Sequence, residues 1–91
     1  MNKEDLVKEV SKKTRISQKL ASEVINLTLE TIEKSVAKGK KVILVGFGTF
    51  ELRHRAARTG RNPQNGSEIH IPAKKVPAFS AGKKFKELAN S

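Results

Sequence analysis

Four closely spaced arginines are the residues of this chain whose types and spacing most clearly indicate a chemistry. Arg53, Arg55, Arg58 and Arg61 lead directly into the run Asn62-Pro63-Gln64-Asn65-Gly66. A guanidinium group presents a planar fork of N–H donors that fits phosphate oxygens bidentately, so this pattern indicates contacts with a polyanion. An Asn-Gly pair between two strand-like runs predicts a β-hairpin that turns back at Asn65-Gly66.

The segment 53–75, called the arm below, concentrates positive charge. It contains six cationic residues against Glu68 alone, a net charge of +5, and the whole chain carries +10 with a pI of about 10.2. Such values are typical of a nucleic-acid binder, with an anionic membrane as the competing polyanion. The simpler alternative is a solvated hairpin that only protects a sheet edge. Repulsion between like charges in paired strands argues against that alternative.

Pro63 lies near the far end of the arm. At about 3.4 Å per residue, the strand from Arg55 to Pro63 reaches roughly 27 Å from the body. The major groove of B-DNA, about 12 Å wide, accepts such a ribbon undistorted, whereas the minor groove, about 6 Å wide, would have to open and the duplex to bend. The spacing leaves this choice open. We hypothesise that Pro63 inserts between base pairs as an apolar wedge, and the alternative is a proline that only shapes a turn.

Two helices are predicted before the arm. Asn2, with Asp5 three residues later, predicts a capped helix that ends near Thr14. Ser17 is the predicted N-cap of a second helix with more than five turns of apolar residues, and Gly39 is placed to end it. The breadth of that apolar face predicts packing on the first helix and on a partner subunit.

The hydrophobic pattern then changes to a period of two. Residues 42–45 predict a strand, Gly46-Phe47-Gly48 a turn, and the alternation over 50–55 a second strand with one buried face. The returning strand comprises residues 69–72, and its Pro72 suits a sheet edge.

A short helix is predicted at the end of the chain. Ser80 is its predicted N-cap, Phe85 and Leu88 are expected to face inward, and its lysines are expected to face outward. The order of elements is helix, helix, three strands and helix, and the fold class is α+β.

Composition argues against several functional classes. The chain has no cysteine, which excludes disulfides and Cys-based zinc sites and fits a reducing compartment. Its longest apolar run, 42–45, is far shorter than the roughly 20 residues of a membrane span, and its acidic start argues against a secretory signal. His54 and His70 are fewer ligands than a zinc site needs. We expect no metal, no cofactor, no small-molecule substrate, no membrane association and no enzymatic activity.

Core-forming residues are scarce. Apolar residues make up 36% of the chain, with four Phe and no Trp or Tyr. About seventy residues remain outside the arm, a size at which a lone domain is marginal. We therefore expect an obligate dimer.

Three motifs carry a resemblance to a known family. The segments Val45-Gly46-Phe47-Gly48-Thr49-Phe50, Gly60-Arg61-Asn62-Pro63-Gln64 and Ile71-Pro72, the last followed by Val76-Pro77-Ala78-Phe79-Ser80-Ala81-Gly82-Lys83, resemble the bacterial histone-like HU and integration host factor family over essentially the whole chain. The resemblance implies an intertwined dimer with a helical base under a three-stranded antiparallel sheet. Two protruding β-ribbon arms would hold double-stranded DNA in its minor groove, with a proline at each tip wedged between base pairs.

The resemblance also implies specific residues and boundaries. A single domain would span 1–91, with a helical dimerisation part (1–39), a sheet with its arm (40–80, arm about 53–75) and a C-terminal helix (81–91). The aromatic residues of the dimer core would be Phe47, Phe50 and Phe79. The expected DNA contacts are Lys3, Arg53, Arg55, Arg58, Arg61, Asn62, Pro63, Gln64, Lys74, Lys75, Lys83 and Lys86.

The expected function is that of an architectural DNA-binding protein with little sequence preference, cytoplasmic and associated with the nucleoid. Phosphate contacts carry no sequence information, and the minor groove distinguishes mainly A·T from G·C. Site-specific bending like that of integration host factor is the alternative, and a homodimer and a heterodimer with a paralogue both fit. RNA binding is a further alternative, but the sequence has no aromatic residues placed to stack on unpaired bases. Binding to a membrane surface would require a basic amphipathic helix with exposed aromatic residues, whereas the charge of this chain is concentrated on the predicted ribbon.

Overall fold

The computed structural model describes all 91 residues, Met1–Ser91. Its elements are α1 (Lys3–Thr14), α2 (Gln18–Ala37), β1 (Val42–Leu44), β2 (Gly48–Arg55), β3 (Arg58–Arg61), β4 (Glu68–Ile71), β5 (Lys74–Ala81) and α3 (Lys83–Ala89). The predicted α+β class is confirmed. The chain divides into two compact units, Met1–Lys34 and Ser35–Ser91. The prediction of one domain over 1–91 stays a prediction.

A side-chain cap sets the start of α1, as predicted. The Asp5 backbone N–H donates to Asn2 Oδ1 (2.9 Å), and the Asn2 N–H donates to Asp5 Oδ2 (3.2 Å). These reciprocal bonds form a capping box that satisfies two N–H groups at the helix start. The helix ends at Thr14, and the next residue, the C-cap Arg15, has a φ of 60° in the left-handed region.

The second helix begins and ends where the sequence predicts. Ser17 Oγ accepts the backbone N–H of Leu20 (3.0 Å). At the other end Gly39 adopts φ 86°, its N–H donates to the Val36 carbonyl (2.9 Å), and the Lys40 N–H donates to the Ser35 carbonyl (3.0 Å). This Schellman motif needs a left-handed residue, which glycine supplies without strain.

A three-stranded antiparallel sheet, ordered β1-β2-β5, forms the body of the second unit. The strand predicted over 42–45 ends one residue early: Val45 lies in the turn and is 98% exposed. The Phe47 N–H donates to the Leu44 carbonyl (2.9 Å), and Gly46 takes φ 84°. The turn therefore starts within the β-branched run.

The arm contains a separate two-stranded sheet, β3-β4. Pairing between β2 and β5 reaches Arg55 opposite Lys74, and pairing resumes with Arg58 opposite Ile71. The ladder is interrupted at Ala56-Ala57 and Pro72-Ala73. Pro72 follows the last residue of β4, and because proline has no backbone N–H it cannot donate to the ladder.

The prediction that Ser80 caps the last helix is wrong. Ser80 belongs to β5, opposite Thr49, and the N-cap of α3 is Gly82, which makes no side-chain cap. The Gly82 N–H instead donates to the Phe47 carbonyl (2.8 Å). Strand pairing therefore continues through the position where local sequence favours a cap.

Four phenylalanine rings form a cluster in the second unit. The ring centroids of Phe47 and Phe79 are 5.3 Å apart, and those of Phe47 and Phe85 are 5.4 Å apart. Phe50 joins the cluster through Phe79. Phe85 and Leu88 were both predicted to face inward; the Phe85 ring contacts the cluster but is still 39% exposed, and Leu88 is 67% exposed. The assignment of Phe47, Phe50 and Phe79 to a dimer core stays a prediction.

Few apolar side chains are buried within the single chain. Val7, Ala21 and Val36 are the buried hydrophobic residues. The apolar face of α2 remains 42–64% exposed at Leu20, Val24, Leu27 and Leu29. No helix has both the length and the apolar character needed to cross a membrane.

Candidate nucleic-acid interface

Charge is distributed unequally between the two compact units. Twelve of the nineteen cationic residues but only three of the nine acidic ones lie in Ser35–Ser91, a net charge of +9. The helical unit Met1–Lys34 is nearly neutral, at +1. The electrostatic attraction for a polyanion therefore resides in the unit that carries the sheet and the arm.

Strand register divides the β2–β5 ribbon into two chemically different faces. Directly opposed residues share a face, and successive residues alternate between faces. Phe50 lies opposite Phe79 on one face. The other face carries Glu51, Arg53 and Arg55 from β2, with Val76 opposite Arg53 and Lys74 opposite Arg55. We call the second face the cationic face.

Arg53 is held in place on the cationic face by two partners. Its Nε donates to Glu51 Oε1 (3.3 Å), and its Nη2 donates to Ser80 Oγ on β5 (3.0 Å). Lys41 Nζ lies 3.6 Å from Glu51 Oε2. The guanidinium is therefore oriented before any ligand arrives.

A concavity opens where the β2–β5 ribbon meets the β3–β4 sheet. Three of its lining residues are cationic; the lining comprises Arg55, Ala56, Arg58, Ile71, Pro72, Lys74 and Val76. It lies where the strand ladder is interrupted, between the Arg55–Lys74 and Arg58–Ile71 pairs. Apolar walls with cations around them suit a sugar–phosphate backbone, which has both apolar and anionic parts.

The two faces of the arm also differ. One face carries Arg58 opposite Ile71 and Gly60 opposite Ile69. The other carries Thr59 opposite His70 and Arg61 opposite Glu68. The arm therefore presents one apolar face with a single cation and one polar face.

The tip is a longer turn than the predicted Asn-Gly hairpin. The Asn62 N–H donates to the Ser67 carbonyl (2.8 Å), and the Gly66 N–H donates to the Asn62 carbonyl (2.8 Å), so the loop comprises residues 63–66. Gly66 has φ 72°, but Asn65 does not have a positive φ. A two-residue type I′ turn requires positive φ at both positions, which excludes it here.

Asparagine side chains stabilise this tip and leave Pro63 exposed. Asn62 Oδ1 accepts the Gln64 N–H (2.9 Å), and Asn65 Oδ1 accepts both the N–H and the Oγ of Ser67 (3.0 and 2.7 Å). These are local asparagine turns that fix the backbone without tertiary contacts. Pro63 lies within the fixed loop, exposed to solvent.

The predicted DNA contacts outside the arm lie in both units. Lys83 and Lys86 line a concavity on α3 together with Glu87 and Asn90. Lys3 lies in the helical unit, where its Nζ donates to Asn26 Oδ1 (2.7 Å). The structure therefore brings Lys83 and Lys86 together, while Lys3 makes its contact within the first unit.

Solvent access is common to nearly all twelve predicted contact residues. Asn62 is half-buried and the others are exposed. Among their cationic members only Arg53 forms an ion pair within the protein. Cations without internal partners are available to an external anion.

The two histidines do not come together. His54 lies opposite Lys75 on the body ribbon, and His70 lies opposite Thr59 on the arm. No group of three or more His, Cys, Asp or Glu side chains is placed to hold a metal ion.

Three residues of the site were not predicted from the sequence. Glu51 and Ser80 hold Arg53, and Lys41 pairs with Glu51. The spacing Glu51-x-Arg53 places both side chains on one face of a strand, so the ion pair between them could have been predicted from the sequence. The contributions of Lys41 and Ser80 depend on strand register.

Comparison with known proteins agrees with this geometry. The family model described as "Bacterial DNA-binding protein" matches residues 1–90. DNA-binding protein HU of Staphylococcus aureus is 54% identical over 87 residues, which cover 96% of this chain and 97% of the relative. DNA-binding protein HU-1 of Halalkalibacterium halodurans is 53% identical with the same coverage. The chain belongs to the HU family of bacterial DNA-binding proteins.

Solved structures of HU proteins share the fold. The Anabaena HU–DNA cocrystal structure superposes with a TM-score of 0.90 at 52% identity, covering 98% of this chain and 97% of that one. HU from Thermotoga maritima has a TM-score of 0.70 at 34% identity, with 98% of each chain covered. The HU resemblance carried by the three sequence motifs is thereby confirmed.

Proposed function

We propose that this protein is an architectural DNA-binding protein of the HU type, which binds double-stranded DNA with little sequence preference. The observation that carries the proposal is the arm: of its six exposed cations, only Arg53 has an acidic partner within the protein. Its likeness to HU in the Anabaena HU–DNA cocrystal structure supports the same ligand. The comparisons favour this type over site-specific bending like that of integration host factor.

Binding rests on phosphate contacts from the arm and the body. Arg53, Arg55, Arg58, Arg61, Lys74 and Lys75 contact the duplex backbone from the ribbon, while Asn62 and Gln64 contact it at the tip. Lys3, Lys83 and Lys86 hold flanking DNA. Because such contacts carry no sequence information, specificity is low and affinity falls steeply with salt.

Bending follows from placing the arm in the minor groove. A two-stranded ribbon is wider than that groove, so its entry opens the groove and bends the duplex towards the major groove. The exposed Pro63 supports the wedge role, because its loop is held by local hydrogen bonds and leaves the ring accessible. Repeated bending of this kind compacts DNA, which corresponds to a cytoplasmic, nucleoid-associated role.

The functional unit is a dimer, which we take to be a homodimer. The isolated chain exposes 7814 Å², whereas a folded 10 kDa monomer is expected to expose about 5200 Å². Fourteen large hydrophobic side chains are 39% exposed or more, including Phe47, Phe79 and the apolar face of α2. A second copy that covers these side chains supplies the core that one chain lacks. A heterodimer with a paralogue is the alternative outcome.

Titration of linear, nicked and pre-bent duplexes at about 50 and 200 mM salt tests the proposal. We expect binding to all three, tighter binding to the nicked and pre-bent forms, and a steep loss of affinity at the higher salt concentration. An excess of random duplex should compete fully. Affinity that does not change with salt, or a monomer in sedimentation equilibrium, would contradict the proposal.

A further inference from the structure

Glu51 is the only acidic residue among the three strands of the body sheet. Its side chain is 24% exposed. Because it alternates with Phe50 and Leu52, it shares the cationic face with Arg53 and Arg55. A carboxylate on a surface that binds phosphate repels the ligand and therefore needs an explanation.

The two carboxylate oxygens of Glu51 engage two different cations. Oε1 accepts from Arg53 Nε at 3.3 Å, and Oε2 lies 3.6 Å from Lys41 Nζ. Both cations are themselves accessible, with side chains 51% and 64% exposed. One carboxylate thus partly neutralises two groups that would otherwise attract DNA.

Ser80 gives Arg53 a second anchor that does not depend on Glu51. The 3.0 Å bond from Arg53 Nη2 to Ser80 Oγ spans from β2 to β5. Loss of the Glu51 charge therefore leaves the guanidinium on the same part of the sheet. Glutamine at position 51 also keeps a carbonyl oxygen able to accept from Nε, which separates charge from position.

We propose that Glu51 is a positioning residue that holds Lys41 and Arg53 in the free protein and releases them to backbone phosphates when DNA binds. Binding at the body is then an exchange of ion-pair partners. The exchange lowers affinity and the number of counterions released, because part of the positive charge is already neutralised. Glu51 thereby limits how tightly the body holds DNA and keeps the complex reversible. This inference rests on the proposed DNA binding and deepens it.

The test compares Glu51→Gln with the wild-type dimer on one linear duplex over a series of salt concentrations. We expect roughly two- to fivefold tighter binding at about 50 mM salt, the size of an exposed ion-pair effect. The slope of log K against log salt should steepen by about 1 for each protomer in contact with the duplex. A merely structural role for Glu51 would change thermal stability and leave this slope unchanged.

Glu9→Gln is the matched control. Glu9 also forms an exposed ion pair, with Lys13 at 3.2 Å, and its replacement changes the net charge by the same amount on α1, in the helical unit. Its effect on the slope should be clearly smaller than that of Glu51→Gln. Equal effects would mean that overall charge is responsible, which would overturn the inference.

A double-mutant cycle with Lys41→Gln gives an independent readout. Lys41→Gln should weaken binding more in the Glu51→Gln background than in the wild type, because Lys41 is fully available to DNA only when Glu51 is neutral. Additive effects would contradict the exchange. Normal DNA binding by the wild type with an unchanged slope for Glu51→Gln would reject this inference alone, whereas no binding by the wild type would reject the proposed function.

Discussion

Phe50 lies directly opposite Phe79 across the β2–β5 ladder, with ring centroids 4.8 Å apart. The same register places Glu51, Arg53 and Arg55 on the other face of the ribbon. A slip of one residue would exchange the two faces, moving the rings into solvent and the arginines into the aromatic cluster. Aromatic packing therefore determines on which side of the sheet the cationic face lies.

Replacing Phe79 by alanine should destabilise the protein by about 3 kcal/mol or more, because Phe79 contacts the rings of Phe47, Phe50 and Phe85. Denaturant unfolding at fixed protein concentration, followed by circular dichroism, measures this. Ile69→Ala is the control, since Ile69 lies on the separate arm sheet and is 42% exposed. Equal destabilisation by the two substitutions would contradict the structural role of the cluster.

Gly48 should not tolerate alanine, because a Cβ there would lie 2.5 Å from Phe79 Cε1 and 2.5 Å from the Ser80 carbonyl oxygen. The β2–β5 ladder would have to move apart at its start. We expect a large drop in Tm and concentration-dependent loss of the folded form. Gly60→Ala is the matched control, since its Cβ would meet only Ile71 Cδ1, at 3.6 Å. A Tm for Gly48→Ala near that of the control would show that the strands separate at little cost.

Sequence predicts the helices well because their bounds depend on neighbouring residues. The caps at Asn2 and Ser17 and the Schellman glycine Gly39 each involve partners within five residues. At Ser80 a prediction from neighbouring residues fails. Its local sequence suits an N-cap, but its pairing with Thr49, 31 positions away, keeps it in a strand. Long-range pairing outweighs local preference there.

The site shows the same division between local and long-range information. The cations of the arm are visible in the sequence because their function depends on exposure and charge alone. The contact of Arg53 with Ser80, and that of Glu51 with Lys41, depend on the register among three strands. At the tip, the Asn-Gly signal predicts the turn, but Asn62 and Asn65 set its length through side-chain hydrogen bonds.

Arg58→Gln should weaken DNA binding equally for different sequences and reduce the salt slope by about 1 per protomer in contact with the duplex. Arg58 lines the concavity between the two sheets. It forms no ion pair within the protein, so its full charge is available to a phosphate. Folding stability should stay within about 0.5 kcal/mol of the wild type, because the residue is exposed. Salt-dependent titration on two unrelated duplexes measures the slope.

Lys13→Gln is the control for Arg58→Gln, since it removes the same charge from an exposed ion pair on α1. Its effect on the slope should be clearly smaller. A change in affinity for one duplex only would contradict the assignment of Arg58 to backbone contact.

Pro63→Ala should reduce the DNA bend angle, because alanine lacks the ring that the wedge requires. The loop should persist, since the Asn62–Ser67 and Gly66–Asn62 backbone bonds do not involve residue 63. Affinity for linear duplex should fall, because the cost of bending, of order 1–6 kcal/mol, is no longer offset by insertion. Affinity for a pre-bent duplex should change little, since binding to it does not require the free energy of bending. Fluorescence energy transfer between labelled duplex ends measures the angle.

Asn65→Ala separates the wedge from the shape of the tip. It removes the oxygen that accepts both hydrogen bonds from Ser67 but leaves the proline ring in place. If loop order alone mattered, Asn65→Ala would reduce the bend as much as Pro63→Ala does. We expect the larger loss for Pro63→Ala, and an unchanged bend with intact affinity in that variant would remove the wedge role.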